Sequence, residues 1–357
     1  MMHPIMKVFS IAVIAGDGAG PEVVPAAKRV TERAGEKFEF GASFRDFEWG
    51  SEYYFRTGKM MPADALEQLR PFDAILLGAV GHPDIPDHVT LNGLLLPIRR
   101  GFDQYANIRP AVRYEGVNSP LAGERQVDLV VVRENTEGEY AQVGGFLYRH
   151  QPEEVAIQTS VFTRRGIERI VRVAFELAVK RNRKRRVCSV TKSNAQGYGM
   201  VLWDHVFQTV AAEYPHIETE SLLVDAAAMN FIRRPESFDV VVASNLFGDI
   251  LSDVSAILTG SIGLAPSANL DTTRRHLSMF EPVHGSALDI AGKGIVNPMA
   301  AILSAGMMLD HLGQPEAGVA VERAVAAVLG EGKVRTADLG GASSTSEVTE
   351  AVLARLA

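Results

Sequence analysis

Short apolar runs recur along the chain and alternate with amphipathic stretches. Each run is long enough for one strand, and the runs cover residues 9–15, 72–77, 127–132, 186–190 and 238–243. Between several of them, apolar residues recur at helical spacing, as in residues 21–33 and 165–179. Alternation of strands with helices predicts an α/β fold with a largely parallel sheet.

The C-terminal third has the pattern of helices. Asn297 followed by Pro298 is typical of a helix start, and this helix should end near Gly313. Ser344 and Glu347 have the spacing of a capping box before a closing helix. No linker rich in proline, glycine and serine divides the chain, so any two lobes should be joined by the sheet itself.

Composition narrows the function classes. A chain of 357 residues is long enough for two lobes. Its net charge of −7 argues against a nucleic-acid partner, and the basic run at residues 180–186 is better interpreted as a solvated helix end. No uninterrupted apolar stretch approaches a membrane span, and residues 1–7 lack the features of a signal peptide, so we expect a cytoplasmic protein without a membrane partner. The single cysteine, Cys188, should be a small buried residue.

Two aspartates follow the apolar run 240–244. If that run is a strand and Asn245 opens a helix, Asp249 and Asp253 lie on one helical face beyond the carboxyl end of the strand. Carboxylates in that position suit Mg²⁺ or Mn²⁺. The alternative is a solvated first turn whose acids favour the helix dipole. The segment alone leaves both interpretations open.

A glycine-rich turn, Gly16-Asp-Gly-Ala-Gly-Pro-Glu22, follows the first predicted strand. Its spacing is neither that of the Rossmann fingerprint nor that of a Walker loop, so a dinucleotide-binding turn is not supported. The glycines would still allow the backbone to approach a ligand closely.

Several longer motifs occur in a fixed order. They are the turn at residues 16–22, Arg99 with Arg109-Pro110, the run Arg133-Glu-Asn-Thr-Glu-Gly-Glu-Tyr140, the segment 245–253 and Glu281-Pro-Val-His-Gly-Ser286. Together they resemble the β-decarboxylating 2-hydroxyacid dehydrogenases, which include isopropylmalate, isocitrate, homoisocitrate and tartrate/D-malate dehydrogenases. The likeness extends from about residue 9 to about residue 350.

The resemblance implies a two-lobed isopropylmalate/isocitrate dehydrogenase-like α/β fold without a true Rossmann unit. One lobe, residues 1–104 and 261–357, would hold both termini and the NAD site. The other, residues 105–260, would form the homodimer and carry the metal and substrate residues. Active sites in the family are shared, with a lysine and an aspartate supplied by the partner subunit.

The resemblance also implies roles for individual residues. Those matching the substrate-binding arginines, whose planar forks suit carboxylates, are Arg99, Arg109 and Arg133. Those matching the ligands of a Lewis-acidic Mg²⁺ or Mn²⁺ ion are Asp225, Asp249 and Asp253, with Asp225 reaching the site of the second subunit. Lys192 matches the lysine that deprotonates the 2-hydroxyl, and Tyr140 matches the tyrosine that protonates the enol carbon after CO₂ departs.

Residues 281–293 resemble the adenosine loop of the family. The matching cofactor residues are Asn194, Glu281, His284, Gly285, Ser286, Ala287, Asp289 and Asn297. A carboxylate at Asp289 would accept hydrogen bonds from ribose hydroxyls and would repel a 2′-phosphate, which favours NAD over NADP. The sequence leaves open whether K⁺ is also needed and which divalent ion is preferred.

Substrate choice should depend on residues 87–98, which precede Arg99. Segments 46–54, 86–88, 102–105 and 136–139 look most like the tartrate/D-malate branch. Asn92, where that branch usually has tryptophan, and the apolar run 94–96 depart from it, and that run resembles a wall for an isopropyl group. Ala19 and Leu288 are smaller departures in the two turns.

We therefore expect NAD-dependent oxidation, with decarboxylation where the substrate permits, of D-malate or tartrate. The first alternative is 3-isopropylmalate, followed by an isocitrate-type substrate. A catalytically silent regulatory subunit is a different class of function. It is disfavoured because all eight substrate, metal and catalytic positions named above are retained.

Overall fold

The computed structural model describes residues 6–356 of the chain. Residues 1–5 and residue 357 fall outside it, so most of the segment used to argue against a signal peptide lies outside the described residues. In the part of the chain from 6 to 356, no helix combines the length and apolarity needed to cross a membrane.

The strands are β1 Val8–Gly16, β2 Gly41–Asp46, β3 Ala74–Ala79, β4 Ala106–Val112, β5 Asp128–Glu134, β6 Gly138–Leu147, β7 Val155–Val161, β8 Arg186–Thr191, β9 Glu218–Leu223, β10 Val240–Ala243, β11 Pro266–Leu270 and β12 Met279–Pro282. The helices are α1 Gly20–Phe38, α2 Ser51–Thr57, α3 Ala65–Leu69, α4 Asp87–Thr90, α5 Leu96–Gly101, α6 Arg164–Arg181, α7 Gly199–Ala211, α8 Val224–Arg233, α9 Asn245–Leu258, α10 Met299–His311, α11 Pro315–Glu331 and α12 Thr345–Leu356. A π-helical turn, Leu91–Leu95, connects α4 to α5.

A ten-stranded sheet runs through the molecule in the order β2-β1-β3-β12-β11-β4-β5-β10-β8-β9. Its neighbours are parallel except around β4 and β11, where β12, β11, β4 and β5 pair antiparallel. The α/β class with a largely parallel sheet is therefore as predicted. The predicted lobe boundary falls between β11 and β4, which are paired, so one continuous sheet joins the two predicted lobes.

The central strands are apolar because helices cover both faces of the sheet. Every residue of β3 and β10 is buried, and α1, α10, α6 and α9 all contact the sheet. On the β8 side, Trp203 of α7 is fully buried and its indole donates to the Ser189 hydroxyl at 2.9 Å. Cys188 beside it is buried, as predicted.

The hairpin β6–β7 is separate from the main sheet. The sequence pattern did not predict it, because its apolar side chains do not face a core within one chain. Val143, Phe146 and Ile157 are each about half exposed, at 48, 57 and 54%. A period-two pattern of burial needs one covered face, and this hairpin has none in the single chain.

The C-terminal helices agree closely with the predicted caps. The backbone N–H of Ser344 donates to Glu347 at 2.7 Å, and that of Glu347 donates back to the Ser344 hydroxyl at 3.2 Å. Helix α10 begins at Met299, one residue later than predicted, although the Asn297 side chain still accepts its first N–H at 3.0 Å.

Candidate active site

The predicted substrate arginines and two of the three predicted metal aspartates meet near the carboxyl end of β10. Helix α9 begins there, and its second and third turns carry Asp249 and Asp253 on one face. Arg109 comes from β4 and Arg133 from β5, the neighbouring strands of the sheet. The i, i+4 spacing therefore places both carboxylates on one helical face beyond the carboxyl end of β10, as the helix interpretation predicted.

Asp249 lies at the centre of the cluster. It accepts hydrogen bonds from Arg133, from Arg109 at 3.3 Å and from the Tyr140 hydroxyl at 3.0 Å. Burial opposes its ionisation, but the nearby guanidinium groups outweigh burial and hold the pKa of Asp249 below its ordinary value. The carboxylate is therefore ionised at neutral pH.

Asp253 has a weaker partner. Its only described ion pair is with Arg109, at 3.4 Å, and its side chain is 57% exposed. Partial burial raises the pKa of Asp253, and the attraction of Arg109 offsets this only in part. The second carboxylate is thus less firmly held than the first and is open toward the crevice.

Arg133 is enclosed on all sides. Its Nε and Nη2 donate to the Asn245 side chain at 3.1 and 2.7 Å, and its guanidinium lies 5.3 Å from the centre of the Tyr140 ring. Burial lowers the pKa of Arg133 to about 10, against the attraction of Asp249, so the group stays charged at neutral pH. Asn245 has no role predicted from the sequence, although its place one helical turn before Asp249 is a signal for one.

Arg99 approaches the cluster from α5. Its Nη2 donates to Glu281 at 2.7 Å, and the side chains of both residues are less than a tenth exposed. The predicted cofactor residue Glu281 also accepts from Asn269 at 2.7 Å. Its carboxylate is thus engaged in orienting an arginine.

A cavity of about 200 Å³ opens among these side chains. Arg99, Arg109, Arg133, Tyr140 and Asp249 line it. The Nε atoms of Arg99 and Arg109 are buried and have no hydrogen-bond partner among the described residues. Buried N–H donors normally find an acceptor, so this cavity suits a small anion.

Lys192 and Asp225 lie apart from this cluster. The ammonium donates to the Asp225 carboxylate at 2.6 Å, and the two side chains are 29 and 59% exposed. The bond from Lys192 holds the pKa of Asp225 below its ordinary value. Within residues 6–356 of one chain, no three histidine, cysteine, aspartate or glutamate side chains form a group able to hold a metal ion.

The predicted cofactor loop follows β12. Gly285 and Asp289 are exposed, Ser286 is half-buried, and Ala287 has a positive φ of 41°, a backbone strain that marks many ligand sites. The His284 Nδ1 lies 3.0 Å from the Gly285 carbonyl oxygen, while its Nε2 is buried without a partner among the described residues. Burial lowers the pKa of His284.

The two predicted asparagines differ in their surroundings. Asn194 is exposed in the turn after β8, two residues beyond Lys192. Asn297 is buried, and its amide donates to Asp338 at 3.0 Å while its oxygen caps α10. The Asn297 side chain is therefore largely committed to the loop itself.

The leucines before Arg99 divide into two groups. Leu94 and Leu96 are buried, and Leu94 packs in the core below the site. Leu95 lines the cavity, together with Leu91, which sequence analysis did not single out. The predicted apolar wall 94–96 is thus wrong in two of its three members, because the π-helical turn changes which side chains face the crevice.

A family model described as isocitrate/isopropylmalate dehydrogenase matches residues 10–352. The chain belongs to this family. The family resemblance and the predicted enzyme class, a decarboxylating dehydrogenase, are thereby confirmed.

Proteins similar to this chain carry the names of several dehydrogenases. A probable tartrate dehydrogenase/decarboxylase of Bacillus subtilis (strain 168) is 51% identical over 353 residues, covering 98% of this chain and 99% of the relative. A D-malate dehydrogenase [decarboxylating] of Escherichia coli (strain K12) is 50% identical over 357 residues, covering 98% of each chain. The crystal structure of an isocitrate dehydrogenase from Methylococcus capsulatus has a TM-score of 0.88 at 38% identity, covering 98% of this chain and 99% of that one. The predicted fold is therefore confirmed.

Proposed function

We propose that this chain is an NAD-dependent and divalent-metal-dependent dehydrogenase that oxidises and β-decarboxylates a malate-type 2-hydroxy acid, above all D-malate or tartrate. The observation that carries the proposal is the small cavity among three arginines, two of which have unpartnered N–H groups. The names of the relatives that are about 50% identical support the choice of substrate.

The arginines would bind the two carboxylates of the substrate. Arg99, Arg109 and Arg133 come from three different elements and converge on one cavity, so together they can orient a dicarboxylate more firmly than any one of them alone. Arg133 is fixed by Asn245 and Asp249 before any ligand arrives. This preorganisation favours a short, rigid substrate.

A divalent cation fits the donors present. Asp249 and Asp253 offer hard oxygen atoms from adjacent helical turns, and Asp253 is only weakly paired. When bound, such an ion would stabilise negative charge on the substrate's 2-oxygen, and NAD would accept the hydride. We propose that Asp225 completes the ligand set from the partner subunit.

Proton transfers would fall to Tyr140 and Lys192. Burial raises the pKa of Tyr140, and Asp249 raises it further, so the phenol keeps its proton at neutral pH and can donate it to carbon. Lys192, in its neutral amine form, would take the proton of the 2-hydroxyl and become an ammonium. In the single chain the Lys192 ammonium donates to the Asp225 carboxylate. We propose that these two groups together serve the active site of the partner subunit.

NAD would bind along the loop 281–297. Because Nδ1 of the neutral His284 ring donates to the Gly285 carbonyl, its unpartnered Nε2 is a hydrogen-bond acceptor, and the exposed Asp289 carboxylate is a second acceptor there. We propose Asn194, Glu281, Gly285, Ser286, Ala287 and Asn297 as the remaining cofactor contacts. The exposed Asp289 again favours NAD over a cofactor that carries a 2′-phosphate.

A homodimer with shared sites is part of the proposal. Helix α8, which carries Asp225 in its first turn, exposes Met229 and Ile232, each at 55%. Large apolar side chains that are exposed side by side on one helix are typical of a subunit interface. We propose that residues 105–260 form the lobe that makes the dimer interface and that residues 1–104 and 261–357 form the cofactor lobe. We also propose that the protein is located in the cytoplasm.

The second candidate substrate is 3-isopropylmalate. Leu91 and Leu95 give the cavity an apolar side that a short hydroxy acid does not require. A hydrophobic pocket separates substrates by only about 1–3 kcal/mol per methylene, so one site can accept both classes.

The test is NADH formation by the purified protein with NAD and Mn²⁺. The substrates are D-malate, the tartrate isomers, 3-isopropylmalate and isocitrate, compared by kcat/KM. Preference for D-malate or tartrate supports the proposal. Preference for 3-isopropylmalate would overturn the substrate assignment and leave the reaction class standing, whereas no turnover would favour a regulatory subunit.

A further inference from the structure

We infer that Glu22 is a positioning residue for the cofactor loop, since its carboxylate fixes the distal half of that loop, residues 292–296. The inference rests on the proposed function, which places NAD on this loop. Glu22 belongs to the glycine-rich turn that sequence analysis left without a role.

The carboxylate gathers three backbone N–H groups of the loop. Val296 donates to Oε1 at 2.8 Å, and Gly292 and Gly294 donate to Oε2 at 3.1 and 3.3 Å. The Thr345 hydroxyl at the start of α12 also lies within hydrogen-bond distance of Oε1. One side chain thus joins α1, the loop and α12.

The backbone of the loop is shaped for this contact. Gly292 and Gly294 have φ values of 71° and 67°, in the region that side chains disfavour. Alternation of such residues lets successive N–H groups face one anion, as in an anion-binding nest. Here the anion is the protein's own carboxylate, which also lies in the first turn of α1, where the helix dipole favours negative charge.

The same turn holds the proximal half of the loop. The Ala19 N–H donates to the Ser286 carbonyl at 2.6 Å, and a side-chain carbon at Gly18 would lie only 2.0 Å from that oxygen. The glycines of the turn therefore bring backbone against the loop, and Glu22 secures its other end. Between the two anchors lies the exposed stretch that carries Asp289.

Glu22 makes no described contact with the arginine and aspartate cluster. Its loss should therefore weaken cofactor binding without changing substrate binding or the chemical step. Glu22→Gln keeps the shape of the side chain but replaces one acceptor oxygen with an NH₂ group, which cannot accept from the loop.

The experiment compares the wild type, Glu22→Gln and the control Glu36→Gln, which removes an exposed acid of the same helix whose described ion pair is with Arg33. NADH affinity is measured by fluorescence titration without substrate, and amide hydrogen exchange in residues 292–296 is measured without cofactor. For Glu22→Gln we expect roughly tenfold weaker NADH binding and faster exchange of these amides, from the loss of a charge-assisted acceptor. The KM for NAD should rise, with kcat and the KM for the hydroxy acid unchanged.

A second variant, Gly294→Ala, tests the inference if Glu22→Gln does not fold. A Cβ at Gly294 would meet no atom within 4 Å, so Gly294→Ala strains only the backbone of the loop and should give the same kinetic pattern. Unchanged NADH binding and exchange in Glu22→Gln, or in Gly294→Ala if the first variant does not fold, would overturn the inference. A wild type that binds no NADH would instead overturn the proposed function.

Discussion

Two ion pairs of this protein carry proposed catalytic groups and differ in almost every physical respect. The Arg133–Asp249 pair is enclosed: the arginine side chain is 2% exposed and also donates to Asn245, and Asp249 also accepts from Tyr140. The Lys192–Asp225 pair stands on the surface, with side chains 29 and 59% exposed. The proposed carboxylate-binding half of the site is therefore assembled within one chain, whereas the proposed Lys192–Asp225 half lies at the surface of the single chain.

The largest effect should come from Arg133→Lys. A lysine keeps the charge but cannot form the planar fork, and losing two charge-assisted hydrogen bonds at about 2 kcal/mol each lowers kcat/KM roughly 10³-fold. Steady-state NADH formation measures this. Arg33→Lys on α1, which replaces an arginine paired on the surface with Glu36, serves as the control. Equal kcat/KM values for Arg133→Lys and Arg33→Lys would show that Arg133 does not bind the substrate.

The comparison also predicts that the surface pair serves a neighbouring site. Mixed dimers of differently tagged Arg133→Lys and Lys192→Gln chains should recover about half of the wild-type activity per dimer, because one of the two sites then has both native residues. The two variant homodimers are the controls and should be nearly inactive. Mixed dimers as inactive as the homodimers would mean that each chain uses its own lysine.

Tyr140→Phe should have an intermediate effect. It removes the phenol proton and one hydrogen bond to Asp249 but leaves the ring against Arg133, so we expect kcat to fall on the order of 10²-fold. The melting temperature should stay close to that of the wild type. Rapid-quench measurement of product formation checks this. Formation of product by Tyr140→Phe at the wild-type rate would show that Tyr140 does not transfer the proton.

Leu95→Ala should change selectivity by about tenfold. Leu95 lines the cavity, so its truncation should lower the ratio of kcat/KM for 3-isopropylmalate to that for D-malate. The expected loss of transition-state binding energy is about 1–2 kcal/mol. Leu94→Ala is the matched control, since Leu94 is buried and its loss should cost about 2–5 kcal/mol of stability with little change in the ratio. A change of ratio in the control alone would contradict the placement of the cavity wall.

The smallest effect should be that of Asp225→Asn on stability. The pKa of Asp225 is lowered by Lys192, so the pair stabilises the fold above the ordinary carboxyl pKa and this contribution is lost as pH falls through the lowered value. Since the carboxylate is exposed in the single chain, thermal unfolding of the dissociated monomer at neutral pH should hardly differ from the wild type, and no difference should remain in strong acid. A clear loss of stability in the monomer would contradict that exposure, whereas a loss confined to the dimer would agree with the proposed shared site.

The sequence predicted the parts of the fold that have a buried face within one chain. The runs at 72–77 and 238–243 correspond to β3 and β10, which are buried throughout, and the spacing of Asp249 and Asp253 gave their shared helical face. The hairpin β6–β7 was missed because both of its faces are exposed. Which leucines line the cavity could not be derived either, because α-helical periodicity does not hold across residues 91–95.

That π-helical turn has a consequence for how substrate choice can change. A π-helical turn contains one residue more than the α-helical turn it replaces. Removing one residue from Leu91–Leu95 would rotate the preceding side chains by about 100° relative to Arg99, turning Leu91 away from the crevice and another side chain toward it. A change of chain length in this connection could therefore alter the substrate range of an enzyme of this kind while every residue that contacts the cluster stays the same.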